Sequence, residues 1–272
     1  MKQLFTHFNH SERITTMNTR TLLLGLAGWM AAAQLIVPCA NASPQTNGAA
    51  LAKFDEAVAQ SRREMRVYCA TAQRMMRGEA VTDEHIKEAI THVEQARYKW
   101  DRLMRQFKDQ PPGPYALDTK FGTRLKDIAQ AMREMDCPLR AKKPKESYQA
   151  CYLACSLIVA LHEENNRVHA VDRMFHLRKV LTTAWSAAQI RGPDAVLEHL
   201  PEVLHQRNRV MLTPCPWPQN RSQCQTYRRE LATLSSLLDE LALNLNNGEK
   251  SGASAKLNQV MDQLQKAYAA AF

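Results

Sequence analysis

The sequence has little glycine, few aromatic residues and none of the common motifs of catalytic loops. Only nine of its 272 residues are glycine, and aromatic residues make up 7% of the chain. It contains no Gly-x-Ser-x-Gly elbow and no glycine-rich phosphate loop, although catalytic groups often sit on such shaped loops. His162-Glu163 begins like a zinc-protease motif, but Asn166 stands where the second histidine is required. The sequence therefore gives no support for an enzyme, and we expect no bound cofactor.

Long apolar runs are also scarce, and the one that is present lies near the first residue. Residues 22–37 are apolar except for Gln34, follow Arg20, and end shortly before Ala40-Asn41-Ala42. A basic residue, a short apolar run and an A-x-A sequence are typical of a secretory signal peptide. The run is shorter than the roughly 20 residues that span a bilayer. We therefore predict a cleaved signal peptide over residues 1–42, no permanent membrane span, and a periplasmic or secreted protein.

Two features of this leader leave alternatives open. Met17 lies just before the basic segment and is a second candidate for the start of translation. Cys39 is a candidate for lipid attachment, but Pro38 stands where such processing favours a small residue. We therefore favour cleavage after Ala42.

Six cysteines remain after residue 42, and an even number in an exported chain predicts disulfide bridges. Cys215 and Cys224 flank a proline-rich loop and are placed to close it locally. Cys151 and Cys155 lie one helical turn apart, which favours bonds to neighbouring segments over a bond to each other. Three bridges are the simplest expectation, but six cysteines allow about 15 pairings, so the sequence does not fix the connectivity. The six are Cys69, Cys137, Cys151, Cys155, Cys215 and Cys224.

Apolar residues recur at intervals of three and four along most of the chain beyond residue 50, and the strict alternation of a strand is absent. This spacing predicts amphipathic helices separated by short breaks. The breaks fall at Gly78, Pro111-Pro112-Gly113-Pro114, Cys137-Pro138, Asn165-Asn166, Gly192-Pro193, residues 213–220 and Asn247-Gly248. The sequence therefore predicts an all-α, disulfide-stapled protein of about eight helices, packed as one or two up-and-down antiparallel bundles.

Charge suggests a division of the chain and a class of partner. A run of four basic residues falls within residues 138–147, which we interpret as a linker between two bundle halves, residues 43–137 and 148–272. The net charge of the whole chain is +9, which favours anionic surfaces or partners. Nucleic acid is not expected, because the sequence lacks the interleaved aromatic and basic residues that stack on bases.

Three histidines, His162, His169 and His176, recur at intervals of seven. On one continuous helix, successive members would lie about 10 Å apart, too far for one metal ion to bind them together. We interpret them as part of a solvated polar face. The alternative is a metal site completed from another helix, with His85 and His92 as candidate donors.

A tryptophan held between prolines is the best candidate for partner binding. Trp217 lies between Pro216 and Pro218, next to Cys215. Proline and a disulfide reduce the entropy lost on binding, and tryptophan is enriched among residues that dominate binding energy. The alternative is that Trp217 folds back and caps the end of the bundle.

The last helical hairpin, residues 241–268, is similar to the end of the periplasmic four-helix b-type cytochromes. That family places a haem-binding histidine on its last helix, and no histidine occurs from Glu249 to Phe272. We therefore predict a non-catalytic adaptor or binding protein of the cell envelope, with an envelope protein or an anionic envelope component as its partner. The alternative is a carrier of a metal or haem-type ligand inside a helical bundle.

Overall fold

The computed structural model describes residues 44–249 and 252–272, and all regular structure in these residues is helical. The predicted signal peptide, including Met17 and Cys39, lies outside the described residues. The all-α class is confirmed, with nine α-helices in the described part of the chain, eight of them of 12 residues or more. None of the described helices is long and apolar enough to cross a membrane.

The helices follow one another with short connections. Two 3-10 helices, Gly113–Leu117 and Pro193–Val196, lie in the longer connections. The α-helices are α1 Pro44–Met76, α2 Asp83–Phe107, α3 Phe121–Arg133, α4 Asp136–Arg140, α5 Pro144–Glu164, α6 Ala170–Arg191, α7 Leu200–Met211, α8 Arg221–Asn246 and α9 Ala253–Ala270.

The connection between α1 and α2 illustrates the local chemistry of the breaks. α1 ends before Gly78, whose φ of +74° lies in the left-handed region that glycine tolerates. Thr82 then caps α2, because its side chain accepts a hydrogen bond from the His85 N–H. Asp83 and Glu84 place negative charge in the first turn of α2, where the helix dipole favours it. The break predicted here from the sequence is confirmed.

One hydrophobic cluster is built mainly by α1 to α5. Phe54 of α1 is fully buried at its centre. The centroid of its ring lies 5.3 Å from that of Phe107, 4.8 Å from Tyr115 and 5.6 Å from Phe121. Tilted and edge-on aromatic pairs at such distances add to the stability gained from burial. The apolar stripe of α1 is therefore fixed against α2, α3 and the 3-10 helix.

A second hydrophobic cluster is built by α6 to α9, and the buried leucines of α8 pack against α9. The end of α1 also contacts α9. Gln265 Nε2 donates to Gln73 Oε1 over 2.6 Å, and Arg77, the residue after α1, places its Nη1 2.7 Å from Asp262 Oδ1. All described residues belong to one compact unit. Residues 138–147 contain the end of α4 and the start of α5, and the division into two halves at this segment stays a prediction.

Candidate functional site

The break between α5 and α6 forms the base of the candidate site. α5 ends at Glu164, Asn166 takes a left-handed φ of 55°, and α6 begins at Ala170. His169 is the N-cap of α6, and the side chains of His169 and Asp172 each bond the other residue's main-chain N–H. This turn places the side chains at the end of α5 beside those at the start of α6.

A buried ionic network joins α1 to this turn. Arg62 Nη1 of α1 donates to Asp172 Oδ1 over 2.5 Å, and His162 Nδ1 lies 2.9 Å from Asp172 Oδ2. The His169 main-chain N–H donates to the same Oδ2 over 2.8 Å. The exposed fraction is 4% for Arg62, 0% for Asp172 and 2% for His162. The Asp172 carboxylate is thus the hub that binds three elements together.

Arg62 and Asp172 remain ionised in the folded protein. Burial raises the pKa of the Asp172 carboxyl, but the Arg62 guanidinium and the His162 ring outweigh it and hold the pKa well below its ordinary value. Burial also lowers the pKa of Arg62, and the Asp172 carboxylate reverses that effect, so the pKa of Arg62 is raised. Arg62 and Asp172 therefore form an ion pair that persists across the physiological pH range.

A second ion pair borders the first. Arg167 Nη2 donates to Asp55 Oδ2 over 2.6 Å, and Asp55 Oδ1 lies 3.9 Å from His169 Nε2. The rings of His169 and His162 are in contact, with centroids 4.6 Å apart. Burial, and the charge of His162 next, lower the pKa of His169 below its ordinary value. His169 is therefore neutral near pH 7.

A cavity of about 770 Å³ opens beside this network. Arg62 lines it from α1, His162 and His169 line it from the α5–α6 turn, and Phe272 and residues 213–220 close the other side. The cavity therefore combines buried charged and imidazole groups on one wall with apolar surface on the other.

Several polar atoms around the cavity have no hydrogen-bond partner within the described part of the chain. Arg62 Nη1 is held by Asp172, but Arg62 Nε and Nη2 are unpartnered, as are His162 Nε2, His169 Nε2 and Asp55 Oδ1. Buried polar groups are normally satisfied, and leaving one without a partner costs about 1–3 kcal/mol. Because five such atoms lie beside one cavity, this cavity is the candidate functional site.

The loop that contains Trp217 forms a wall of the cavity. Trp217 is half-buried, and its indole N–H donates to the Ala270 carbonyl over 3.1 Å. Pro216 and Pro218 also line the cavity. The structure thus corresponds to the alternative in which Trp217 folds back onto the end of the bundle.

The histidines differ from the sequence interpretation, because the break at Asn166 separates them onto two helices. His162 is buried instead of lying on a solvated face, and it contacts His169. His176 Nε2 lies 2.9 Å from Glu163 Oε1, outside the buried network. The structure does not bring the three histidines to one point.

The candidate donors from α2 have other partners. The His85 side chain takes part in the cap at Thr82, and His92 Nδ1 lies 2.6 Å from Glu64 Oε2. Within residues 44–249 and 252–272, the only three metal-ligating groups whose atoms lie within 4.8 Å of one another are cysteines. No described histidine belongs to such a group, and the metal site at His162, His169 and His176 stays a prediction.

The cysteines form two bridges where the sequence suggested three. Cys69 of α1 bonds to Cys151 of α5, with Cα atoms 5.5 Å apart, and Cys215 bonds to Cys224 across the Trp217 loop. Cys137 is exposed on α4 and Cys155 is buried on α5, and both are unpaired within the described residues. As expected, Cys151 pairs with a neighbouring segment and not with Cys155.

Acidification from pH 7.5 to 5.5 is expected to lower the free energy of unfolding through His169. Its pKa is lowered in the folded protein, whereas in the unfolded chain it is about 6.5. The unfolded state therefore binds more protons below that pH, so the stability present above pH 6.5 is lost as the pH falls towards the folded pKa. Asp172 adds a further loss only below its ordinary carboxyl pKa of about 3.8.

Urea unfolding at the two pH values tests this expectation. His169→Asn is the matched variant, because asparagine keeps a good N-cap and removes the titrating ring. The loss of stability between pH 7.5 and 5.5 should be smaller in the variant, and an unchanged loss would contradict the role assigned to His169.

Comparison with known proteins gives no assignment. No protein-family model, no curated protein and no solved structure matches this chain. The function is therefore argued from the cavity and its lining groups alone.

Proposed function

We propose that the chain is an exported, non-catalytic helical binding protein whose cavity takes a small organic anion with an apolar body. One observation carries this proposal. Nε and Nη2 of the buried Arg62 make no well-formed hydrogen bond among the described residues, while Nη1 is held by Asp172. The Tyr268 side chain also interacts with this guanidinium. Nε and Nη2 lie on the same side of a guanidinium and bind a carboxylate through two parallel hydrogen bonds. A carboxylate would satisfy both if the side chains that cover these solvent-shielded nitrogens move aside when it binds.

The size and lining of the cavity support a small ligand. Its volume of about 770 Å³ lies within the range of about 300–1,000 Å³ that is usual for small-molecule sites. Val171, Phe272 and Trp217 supply apolar surface to the lining of the cavity. An anion with a short aliphatic or aromatic body matches this combination better than a fully polar one.

The position of Trp217 supports a small ligand over a large protein partner. Its N–H is used by the Ala270 carbonyl and its side chain lines the cavity. Two cysteine pairs at disulfide distance are compatible with an oxidising compartment, and the predicted leader favours the periplasm or secretion. The proposed ligand is therefore an anionic component of the envelope or its surroundings.

Decanoate and decan-1-ol test the proposal as a matched pair of probes. We expect decanoate to bind about tenfold or more tightly than the alcohol, since a hydrogen bond to a charged group contributes about 1.5–3 kcal/mol. Arg62→Lys keeps the charge that pairs with Asp172 but loses the two-pronged donor, so it should remove most of that preference. Isothermal titration calorimetry at pH 7.5 measures both effects, and Arg191→Lys on the surface is the control.

A second pair of variants locates the binding. Ala59 lies on the cavity wall one helical turn before Arg62, and Ala59→Trp should narrow the cavity beside Arg62 and weaken decanoate binding. Ala232 is exposed on α8 away from the cavity, so Ala232→Trp should leave the affinity unchanged. Equal affinity for decanoate and decan-1-ol, or a decanoate affinity that Ala59→Trp leaves unchanged, would refute the proposed site.

A further inference from the structure

Three buried sulfur atoms lie together between α1 and α5. Cys69 Sγ is bonded to Cys151 Sγ at 2.01 Å, and Cys155 Sγ lies 4.0 Å from Cys69 Sγ. All three sulfur atoms lie within 4.8 Å of one another. Cys151 and Cys155 both face α1 because residues four apart share one face of a helix. Cys69 therefore has two cysteines within reach and is bonded to one of them.

We propose that this cluster is an internal thiol–disulfide exchange site, in which Cys69 alternates between Cys151 and Cys155. Cys155 gives up its proton, and its sulfur forms a bond with Cys69 Sγ. The Cys69–Cys151 bond breaks, its electron pair stays on Cys151 Sγ, and that sulfur takes a proton. One disulfide and one thiol are present before and after the step, so no external oxidant or reductant is consumed.

The geometry keeps all three sulfurs within reach of one another on facing helices. The Cα atoms of Cys69 and Cys151 are 5.5 Å apart, and Cys155 presents its sulfur to Cys69 from the next turn of the same helix face. The attack requires the three sulfurs to approach a line, whereas at rest they form a compact triangle. Rotation about the side-chain bonds of Cys69 and Cys155 would have to supply that alignment.

Two buried guanidinium groups act on the attacking sulfur. Arg62 and Arg178 both interact electrostatically with Cys155, and both are less than 10% exposed. The thiolate is the nucleophile in exchange, and positive charge beside a cysteine stabilises it. Two positive charges therefore lie near the sulfur that would attack.

A separate pocket of about 290 Å³ gives small thiols access to the cluster. Cys69 lines this pocket together with Arg66, Arg74 and Arg178, and Glu88 is its one acidic lining residue. An anionic thiolate that enters would attack Cys69, form a mixed disulfide and release the sulfur of Cys151. Attack by Cys155 on Cys69 would then expel the small thiol unchanged. Such a thiol would catalyse the exchange.

Disulfide mapping of the mature oxidised protein tests the exchange. Free thiols are blocked with N-ethylmaleimide at low pH, and chymotrypsin separates Cys151 from Cys155 by cutting after Tyr152. We expect both the Cys69–Cys151 and the Cys69–Cys155 bridge in the wild-type protein, and only the former in Cys155→Ser. Cys151→Ser should form the Cys69–Cys155 bridge and unfold at nearly the wild-type temperature. Free Cys69 and Cys155 in oxidised, folded Cys151→Ser would overturn the proposal.

The role of the pocket is tested by the rate of exchange. Starting from freshly oxidised protein, 2-mercaptoethanesulfonate should bring the two bridges to equilibrium several times faster than cysteamine, because the first thiol is anionic and the second cationic. Arg66→Gln should reduce this difference, and Arg228→Gln on the surface of α8 should not. Equal rates with the two thiols would overturn the assignment of the pocket. A single bridge after prolonged incubation with either thiol would overturn the exchange itself.

Discussion

Replacing Arg62 by methionine is expected to lower the free energy of unfolding by about 3–5 kcal/mol, because it leaves the Asp172 carboxylate buried without its main counter-charge. Asp172 is fully buried, so solvent cannot replace the lost guanidinium. The loss should appear as an earlier midpoint in urea unfolding at pH 7.5. This measurement does not depend on the proposal that the cavity binds a ligand.

A double-mutant cycle separates the ion pair from other effects. Asp172→Asn removes the charge and keeps an oxygen that can accept from the His169 N–H. The double variant Arg62→Met/Asp172→Asn should be more stable than the sum of the single losses implies, because no unpaired charge remains. Additive losses would show that the ion pair is not coupled. Arg191→Met breaks an exposed ion pair with Glu198 and should leave the midpoint unchanged.

Removal of the Cys69 bridge by Cys69→Ala is expected to cost about 4–5 kcal/mol, whereas removal of the Cys215–Cys224 bridge should cost about 2–3 kcal/mol. The difference follows from the loops that the bridges close. The first joins residues separated by 82 positions and the second joins residues separated by 9. A bridge that closes a longer loop restricts the unfolded chain more.

Guanidinium unfolding of Cys69→Ala and of Cys215→Ala/Cys224→Ala compares the two bridges under oxidising conditions. The ratio of the losses is the decisive quantity, and equal losses would refute the loop-length argument. Cys151→Ser is the matched control for the first bridge. Because Cys155 is placed to take the role of Cys151, that variant should lose far less stability than Cys69→Ala.

The fold could be predicted from the sequence to a large extent, because each helix carries its own local signals. The spacing of apolar residues identifies the buried faces, and the end of α1 at Gly78 and the cap of α2 at Thr82 need no tertiary information. The disulfides were predicted only in part. That Cys215 closes its own loop with Cys224 is a local matter, whereas the pairing of Cys69 depends on which face of α5 packs against α1.

His162, His169 and Trp217 were named from the sequence and line the cavity. Their assembly with Arg62 and Asp172 into one site could not be predicted, because it depends on contacts between distant segments. Arg62 lies four residues beyond Val58 on the apolar stripe of α1. A charged residue at such a position indicates a buried ion pair, and this signal was missed in the sequence. Asp172 follows His169 by three residues, which is the spacing of a capping box. Neither signal indicates that α1 meets the α5–α6 turn. The interpretation of the three histidines was wrong, because it treated their seven-residue spacing as lying on one continuous helix.

The bridged loop around Trp217 has a consequence for the timing of maturation. Its cysteines are joined only under oxidising conditions, and this loop forms one wall of the proposed binding cavity. On our proposal, a newly made chain in a reducing cytoplasm would lack a fixed wall and would hold its ligand weakly. Capture would begin after the chain has crossed the membrane and the bridge has formed. The precursor would thus be prevented from sequestering the same anion inside the cell.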